Sequence, residues 1–409
     1  MLGNSLVYII ISYIDFEMCV ESIEGKKNMR VLFIFDSRFS EWKGTQKFFY
    51  EFGKYLKENG YKVTLIENNR NSGINILPKG LELPFNILSC RFKKIFSIYY
   101  VPRKIIDNVN PEIIYVNSFN TLPILPKGNY KIIYGMHVIH VSSLKYMKEN
   151  RVKFMLKTYF FKAIAYFFWR KREIIIHALN YDQANWIKKV LKNNFPVKVI
   201  GNPVECSTLK NIEFIKNMKK NDKFTLLFFG SLSKEKGFAK FLKILDYVEK
   251  SYINKKILFI IARDGILINE AINKAKEYEN VVFIRKPDDE GKKLLMLSSD
   301  LFVFPSITEN FPYTAVEAQS SGLPCLFSDI TPFKNIIETG KTGYCLSLHT
   351  GFEKQFYIKI NEYLNLWVSD YNKFIKTRLD IVEFSKRLCK ENVLPQLLDM
   401  VDLFANNKN

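Results

Sequence analysis

The sequence predicts an α/β protein made of two doubly wound domains, and three observations lead there. From Met29 onward, short apolar runs alternate with amphipathic stretches, the pattern of strands buried in a parallel sheet and of the helices that cover it. The pattern pauses once, over a turn-rich and charged stretch at residues 201–223, and then restarts. The length of 409 residues is enough for two or three domains with several buried cores.

The first strand is 30–35, in the run MRVLFIF that begins at Met29. Four more follow at 62–66, 112–116, 131–135 and 173–177, each an apolar run of strand length. Between the first two, residues 46–59 place Phe48, Phe49, Phe52, Tyr55 and Leu56 on one helical face and stop at Gly60, a residue suited to a helix C-cap. The second half repeats the pattern with strands at 224–229, 256–262, 281–284, 300–304 and 324–327. These spans give a first domain at 29–204, a second at 205–383 and a hinge near Val204. Residues 1–28 read as an appended N-terminal extension, and the tail at 384–409 carries an amphipathic helix over 384–404. No period of 20–50 residues is present, which argues against solenoids and propellers.

Composition narrows the partners. With 47% hydrophobic and 25% charged residues, the chain is an ordinary folded one. Its 61 basic and 41 acidic side chains leave a net charge of +20, so the expected partner is negative: a nucleotide phosphate, an anionic lipid surface or a nucleic acid. No RNA-recognition, KH, helix-turn-helix or zinc-finger pattern occurs and the basic residues are spread out, so nucleic acid is not expected. No GxGxxG follows the first strand, which disfavours an NAD-dependent dehydrogenase. The six cysteines, at 19, 90, 206, 325, 345 and 389, form no CxxC pair; they argue against a zinc ribbon or redox motif and for a reducing, cytoplasmic setting. The apolar stretch at 5–14 is too short to span a bilayer and lacks a basic leader. Residues 144–172 hold nine Lys or Arg, one Glu and nine aromatics, with Lys153, Lys157 and Lys162 interleaved among Phe154, Phe160, Phe161 and Phe167. As a helix this segment suits an anionic membrane interface. Its aromatics equally suit the core of their own domain, with the lysines in solvent.

The most informative segment is FPSITENFPYTAVEAQSSGLP, residues 304–324, which leaves a strand and enters a helix. Pro312 is expected at the first helical position, Glu309 in the loop at the strand's carboxyl end, and Glu317 about a turn and a half into the helix. In an open α/β sheet that crevice is where ligands bind. A helix start favours an anion, and neighbouring carboxylates accept hydrogen bonds from sugar hydroxyls. A second strand-to-helix junction, FFGSLSKEKG at 228–237, places Lys236 where it can pair with a phosphate. An isolated glutamate pair or loop lysine is more often a solvated surface feature; here the strand, loop, helix and Gly-x-Pro context favours function. His137 and His140 have no evident third ligand and no metal site is expected. His177 and His349 read as structural.

Glu309, seven residues, Glu317, then Ala318 and Gly322-Leu323-Pro324 resembles the signature of glycosyltransferase family 4. Further matches run in order from Met29: WKGTQ at 42–46, PEIIYVNS at 111–118, YGMHV at 134–138, KVIGNPVE at 198–205 and FGSLSKEKG at 229–237. The resemblance implies the GT-B fold, two Rossmann-like domains facing each other across a cleft. It implies a retaining hexosyltransferase moving sugar from a UDP- or GDP-sugar to a hydroxyl of a glycan or lipid-linked acceptor, in cell-surface polysaccharide or glycoconjugate synthesis. No catalytic metal or other cofactor is implied, and the setting is cytoplasmic, peripheral on the inner face of the cell membrane. Carried over by position, Glu317 binds the donor ribose, Glu309 contacts the donor sugar, and Lys236 holds the diphosphate beside Gly230 and Ser231. Asn310, the amides after Phe311 and the Thr314 hydroxyl complete the donor cradle, and the base lies against 285–287, with Arg285. His137 sits near the donor sugar and the reaction centre, Gly44 and Thr45 form an acceptor-side loop, and the terminal helix packs back on the first domain.

Two positions depart from the family pattern. Ser231 stands where the family usually has Arg, removing one of two charges on the leaving diphosphate, and Arg263 at the end of strand 256–262 is expected to substitute. Pro312 replaces the usual Gly and has no N–H to offer a phosphate. These departures motivate the alternative of a catalytically impaired GT-B scaffold that binds a nucleotide or glycan.

Overall fold

The computed structural model describes residues 29–35, 44–68, 84–90, 93–95, 98–117, 122–137, 158–159, 162–163, 169, 171–192, 194–206 and 208–406. Residues 1–28, Trp42, Lys43, His140 and most of the 144–172 segment lie outside them. The first sheet contains β1 (Arg30–Phe35), β2 (Lys62–Asn68) and β3 (Asn86–Cys90), a short side sheet of β4 (Lys93–Ile95), β5 (Ile98–Tyr100) and β7 (Leu122–Ile124) branching off beside it. It is completed by β6 (Ile113–Asn117), β8 (Lys131–Gly135), β9 (Ile174–Ala178) and β10 (Val197–Val199), in the order β10-β9-β8-β6-β1-β2-β3 with every pairing parallel. The second sheet holds β11 (Phe224–Phe229), β12 (Ile257–Ala262), β13 (Val281–Ile284), β14 (Leu301–Phe304), β15 (Cys325–Ser328) and β16 (Gly343–Leu346). Its order, β13-β12-β11-β14-β15-β16, is again all parallel. The winding reverses between β11 and β14, so the loops after these two strands face the same crevice.

Burial explains why these runs become strands. All six residues of β11 and all five of β9 are buried, as a sheet covered on both faces requires. In the first domain, Phe48, Phe49, Phe52 and Leu56 of the helix Gly44–Glu58 pack on Phe33 and Tyr115 in one cluster. Each fully buried Phe contributes about 2 kcal/mol of transfer free energy. The same cluster takes in Val393, Leu397, Met400, Val401 and Phe404 of the terminal helix Lys390–Asn406, which thus returns from the second sheet to the first.

Three sequence expectations are corrected. The 201–223 stretch is no bare linker: Thr208–Lys216 is a helix that buries Asn211 and Ile215, four residues apart, while its charged residues stay in solvent. The tail does not begin a helix at 384. Tyr371–Ser385 ends there, a 3-10 turn covers Lys386–Leu388, and the returning helix starts at Lys390, whose N–H donates to the Val204 carbonyl at 2.7 Å. The two chain crossings between domains therefore lie side by side, and a disulfide joins Cys206 to Cys389 there, 183 residues apart in sequence. Such a pair leaves no trace in cysteine spacing, and it speaks against the reducing setting expected from that spacing. β3, β10, β16 and the side sheet were also not foreseen, being short or only partly apolar. No helix among the described residues is long and apolar enough to cross a membrane.

Candidate active site

The β14 loop runs from Pro305 to Pro312, and Pro312 is the cap residue preceding the helix Tyr313–Ser320, one position earlier than expected. Glu309 is buried at the base of this loop, and both its carboxylate oxygens accept from Lys236 Nζ, at 2.8 and 2.9 Å. Ser306 Oγ donates to the same carboxylate at 3.1 Å. Lys236 comes from the β11 loop, so the two loops of the winding reversal meet in this ion pair. Gly237 makes the approach possible: it has φ of 70°, and a Cβ there would stand 1.8 Å from the Pro305 carbonyl oxygen. Glu317, four residues into the helix, accepts from Lys292 Nζ at 2.7 Å, and both side chains are mostly buried. Lys292 was not foreseen, because it belongs to a separate helix, Asp289–Ser298, that only the fold brings alongside.

The phosphate cradle is narrower than the resemblance implies. Of the amides after Phe311, Pro312 has none, and that of Tyr313 donates to the Phe311 carbonyl at 3.1 Å. The Thr314 side chain is partly buried on the first turn. Arg263 lies one residue beyond β12, beside the end of β11, with its guanidinium 5.9 Å from the Phe229 ring centroid. Its φ of 110° is strained for a residue with a side chain, a cost of about 1–3 kcal/mol that surrounding contacts must hold in place. Gly230 and Ser231 follow Phe229 directly. Arg285 is exposed and reaches Asp264 at 3.4 Å, where Lys286 joins at 3.1 Å; hydrogen bonds from Lys286 and the Gly265 N–H hold the Asp264 carboxyl below its ordinary range.

The first domain meets this loop directly. Asn310 Nδ2 donates to the His137 carbonyl at 2.9 Å, and Asn180 Nδ2 donates to the Asn310 carbonyl at 2.8 Å. Tyr313 donates its hydroxyl to the Gly44 carbonyl at 2.9 Å, and its ring occupies the space a Cβ on Gly44 would need. The Phe311 ring fills the same space at Gly201. His137, Gly44, Asn310, Glu309 and Lys236 thus lie along one continuous set of contacts between the domains, with Thr45 next to Gly44 at the start of its helix. Arg263 and Arg285 follow β12 and β13, with β12 the direct neighbour of β11. His177, read as structural, is hydrogen-bonded to Tyr115, and Tyr115 to His137; neither Tyr115 nor His177 carried a functional signal in sequence, since each sits inside an apolar, buried strand. Among the described residues no group of three His, Cys, Asp or Glu is placed to hold a metal ion.

Two facing doubly wound sheets, with paired strand-to-helix loops at the winding reversal of the second, define the GT-B class. Residues 210–380 match the family of glycosyl transferases group 1. It is 25% identical over 232 residues to an uncharacterized 41.2 kDa protein in the cps region of Klebsiella pneumoniae, covering 56% of this chain and 60% of that one. It is also 25% identical over 232 residues to the UDP-Gal:alpha-D-GlcNAc-diphosphoundecaprenol alpha-1,3-galactosyltransferase of Escherichia coli, covering 52% and 56%. The match thus spans less than two thirds of these relatives. Among solved structures, HepE of Anabaena in complex with UDP superposes with a TM-score of 0.66 at 13% identity, over 92% of this chain and 100% of that one. Sucrose-phosphate synthase of Thermosynechococcus elongatus gives 0.65 at 13%, with the same coverage. At such identity the likeness is one of fold.

Proposed function

We propose that this chain is a retaining hexosyltransferase that moves a sugar from a UDP- or GDP-sugar to a hydroxyl of a glycan or lipid-linked acceptor in cell-surface polysaccharide or glycoconjugate synthesis. The observation that carries the reading is the Lys236–Glu309 pair at the β11/β14 reversal, one residue from the Asn310 contact to His137. It puts a cation for a leaving diphosphate and a carboxylate for sugar hydroxyls at the seam between the domains. The group 1 family match and the galactosyltransferase relative, whose name specifies a UDP-sugar and a diphosphoundecaprenol acceptor, support the same reading.

The chemical difficulty is departure of a diphosphate from an oxocarbenium-like centre. Lys236 and the positive end of the helix Tyr313–Ser320 stabilise the developing charge, and one such group is worth about 3 kcal/mol in a dry site. Glu317, oriented by Lys292, binds the ribose, and Glu309 exchanges its lysine partner for hydroxyls of the donor sugar. With a cation already in place the reaction needs no metal. Arg263 supplies the second charge that Ser231 lacks; Arg263→Ala lowers turnover, and near-wild-type turnover in that variant sinks this assignment. The acceptor is taken up on the first domain, with the basic, aromatic segment 144–172 resting on an anionic membrane at the inner face of the cell membrane.

The test is calorimetric titration with UDP, GDP and ADP and their sugar conjugates, repeated on Glu317→Ala. Saturable binding of one nucleotide that the substitution weakens, with transfer of sugar to a polyprenyl-diphosphate glycan, is the expected result. Binding without turnover for every donor favours the scaffold alternative motivated by Ser231 and Pro312. No binding at millimolar nucleotide overturns the transferase reading and moves a glycan-binding scaffold to the front.

A further inference from the structure

A buried hydrogen-bond chain organises the first-domain side of the site. His177 Nε2 lies 2.8 Å from the Ile200 carbonyl oxygen, and its Nδ1 lies 2.5 Å from the Tyr115 hydroxyl. That hydroxyl is 2.9 Å from His137 Nε2. All three side chains are buried, and the ring of Phe48 covers His137 at a centroid distance of 4.2 Å. Gly135, beside Tyr115 on the neighbouring strand, leaves the room: a Cβ there would stand 2.5 Å from the Tyr115 oxygen.

The proton positions follow in order. A carbonyl oxygen only accepts, so His177 Nε2 carries the proton. Burial keeps this imidazole neutral at ordinary pH, so its Nδ1 is a bare lone pair and takes the single proton of Tyr115. The Tyr115 oxygen is then left to accept, and His137 Nε2 must donate to it. A neutral imidazole protonated at Nε2 has a bare Nδ1. Among the described residues, the buried Nδ1 of His137 has no hydrogen-bond partner.

We propose that Tyr115 and His177 are positioning residues that lock His137 in the Nε2–H tautomer, so that its Nδ1 accepts a hydrogen bond from a hydroxyl of the transferred sugar. The inference rests on the nucleotide-sugar reading above. The His137 carbonyl accepts from Asn310, the residue next to Glu309, the carboxylate assigned to the same sugar. An acceptor-only nitrogen repels phosphate and carboxylate oxygens and selects a hydroxyl or an N–H, an unpaired buried lone pair being the penalty for any donor that lacks one. The division of labour is then chemical: cations on the second domain for the diphosphate, a neutral acceptor on the first for the sugar.

The chain has four histidines, so a long-range proton–nitrogen spectrum of protein labelled at histidine nitrogen resolves each of them. The expected wild-type pattern is a protonated Nε2 and a bare Nδ1 at both His137 and His177. Tyr115→Phe keeps the ring and removes both bonds; His137 then populates both tautomers while His177, still held by Ile200, keeps its own. Affinity for the nucleotide-sugar falls about tenfold while affinity for the free nucleotide is unchanged, measured with UDP, GDP and ADP and their glucose conjugates. His177→Leu reproduces that loss, and His177→Gln, whose amide can donate to Ile200 and accept from Tyr115, recovers most of it. A wild-type spectrum with His137 Nδ1 protonated overturns the proposal. So does an unchanged ratio of nucleotide-sugar to nucleotide affinity in a Tyr115→Phe protein whose melting profile shows it folded. If no nucleotide binds the wild type, the transferase reading fails and the assigned sugar contact with it, whereas the spectrum still decides the tautomer by itself.

Discussion

The two sides of the cleft are built by opposite means. The second domain offers paired charges, Lys236 with Glu309 and Lys292 with Glu317, carried on loops and helix starts around the β11/β14 reversal. The first domain offers a neutral chain of Tyr115, His177 and His137, drawn from three positions on its sheet and sealed under Phe48. Charged pairs hold orientation and exchange partners readily when an anion arrives. A neutral buried chain fixes proton positions and cannot be rearranged without breaking several bonds together. The contrast teaches that one cleft can join exchangeable charge to fixed proton positions, and in the proposed reaction these serve the diphosphate and the sugar respectively.

The largest expected effect breaks the charged side. Lys236→Ala removes the cation proposed at the leaving group and is expected to lower kcat by about 100- to 1,000-fold; it also strips the buried Glu309 carboxylate of its countercharge, so Tm falls as well. Steady-state kinetics beside a melting curve checks both. A drop below tenfold would move the catalytic weight to Arg263.

Acid sharpens the comparison, because the two domains answer it with opposite signs. Burial brings His177 down to about 4 from an ordinary 6.5, so between those values the unfolded chain binds a proton that the native state refuses. The stability His177 contributes is full above pH 6.5 and is lost as pH falls through 4, by about 3 kcal/mol. Burial of His137 acts in the same direction. In the second domain, burial pushes Asp300 up to about 6, against the opposing pull of the Thr225 N–H and Arg378. Its folded-state pKa is raised, so its contribution is full below pH 3.8 and is lost as pH rises through 6, again by about 3 kcal/mol. Hydrogen exchange resolved by domain should show protection of the first sheet falling between pH 6.5 and 4. Asp300→Asn should raise stability at pH 7, and His177→Gln should flatten the acid loss in the first domain. Parallel pH profiles for the two domains would contradict the assignment.

Smaller effects test the supporting groups. Lys292→Met leaves Glu317 without its partner and is expected to weaken nucleotide binding by about five- to tenfold, readable by calorimetry, with turnover at saturating donor little altered. Chelation marks the end of the scale. If Lys236 and Arg263 supply the positive charge, excess EDTA leaves turnover unchanged, and loss of activity restored by a divalent ion would overturn the metal-free reading.

Legibility of this chain followed locality. The segment 304–324 carries its strand, loop, two glutamates and helix in one stretch, so periodicity and residue type sufficed to read it, down to Glu309 in the loop and Glu317 on the helix. Lys292 was illegible because its partner is 25 residues away on another helix. Tyr115, 22 residues from His137 and 62 from His177, sits in a run of apolar residues where nothing marks a hydroxyl as functional. Cys206 and Cys389 were illegible for the same reason, as was the helix Thr208–Lys216, whose charged solvent face outweighs its buried Ile215.

The sequence by itself determined the two parallel sheets, nearly every long strand, and the residue types in the loops at the β11/β14 reversal. All of these depend on apolar runs and on backbone conformations set within a few residues. Only the tertiary structure decided which lysine meets which glutamate, where the two chain crossings meet, and which side chains surround His137. Those outcomes depend on distances between groups far apart in the chain, and the carbonyl of Ile200, which starts the hydrogen-bond chain to His137, belongs to no motif at all.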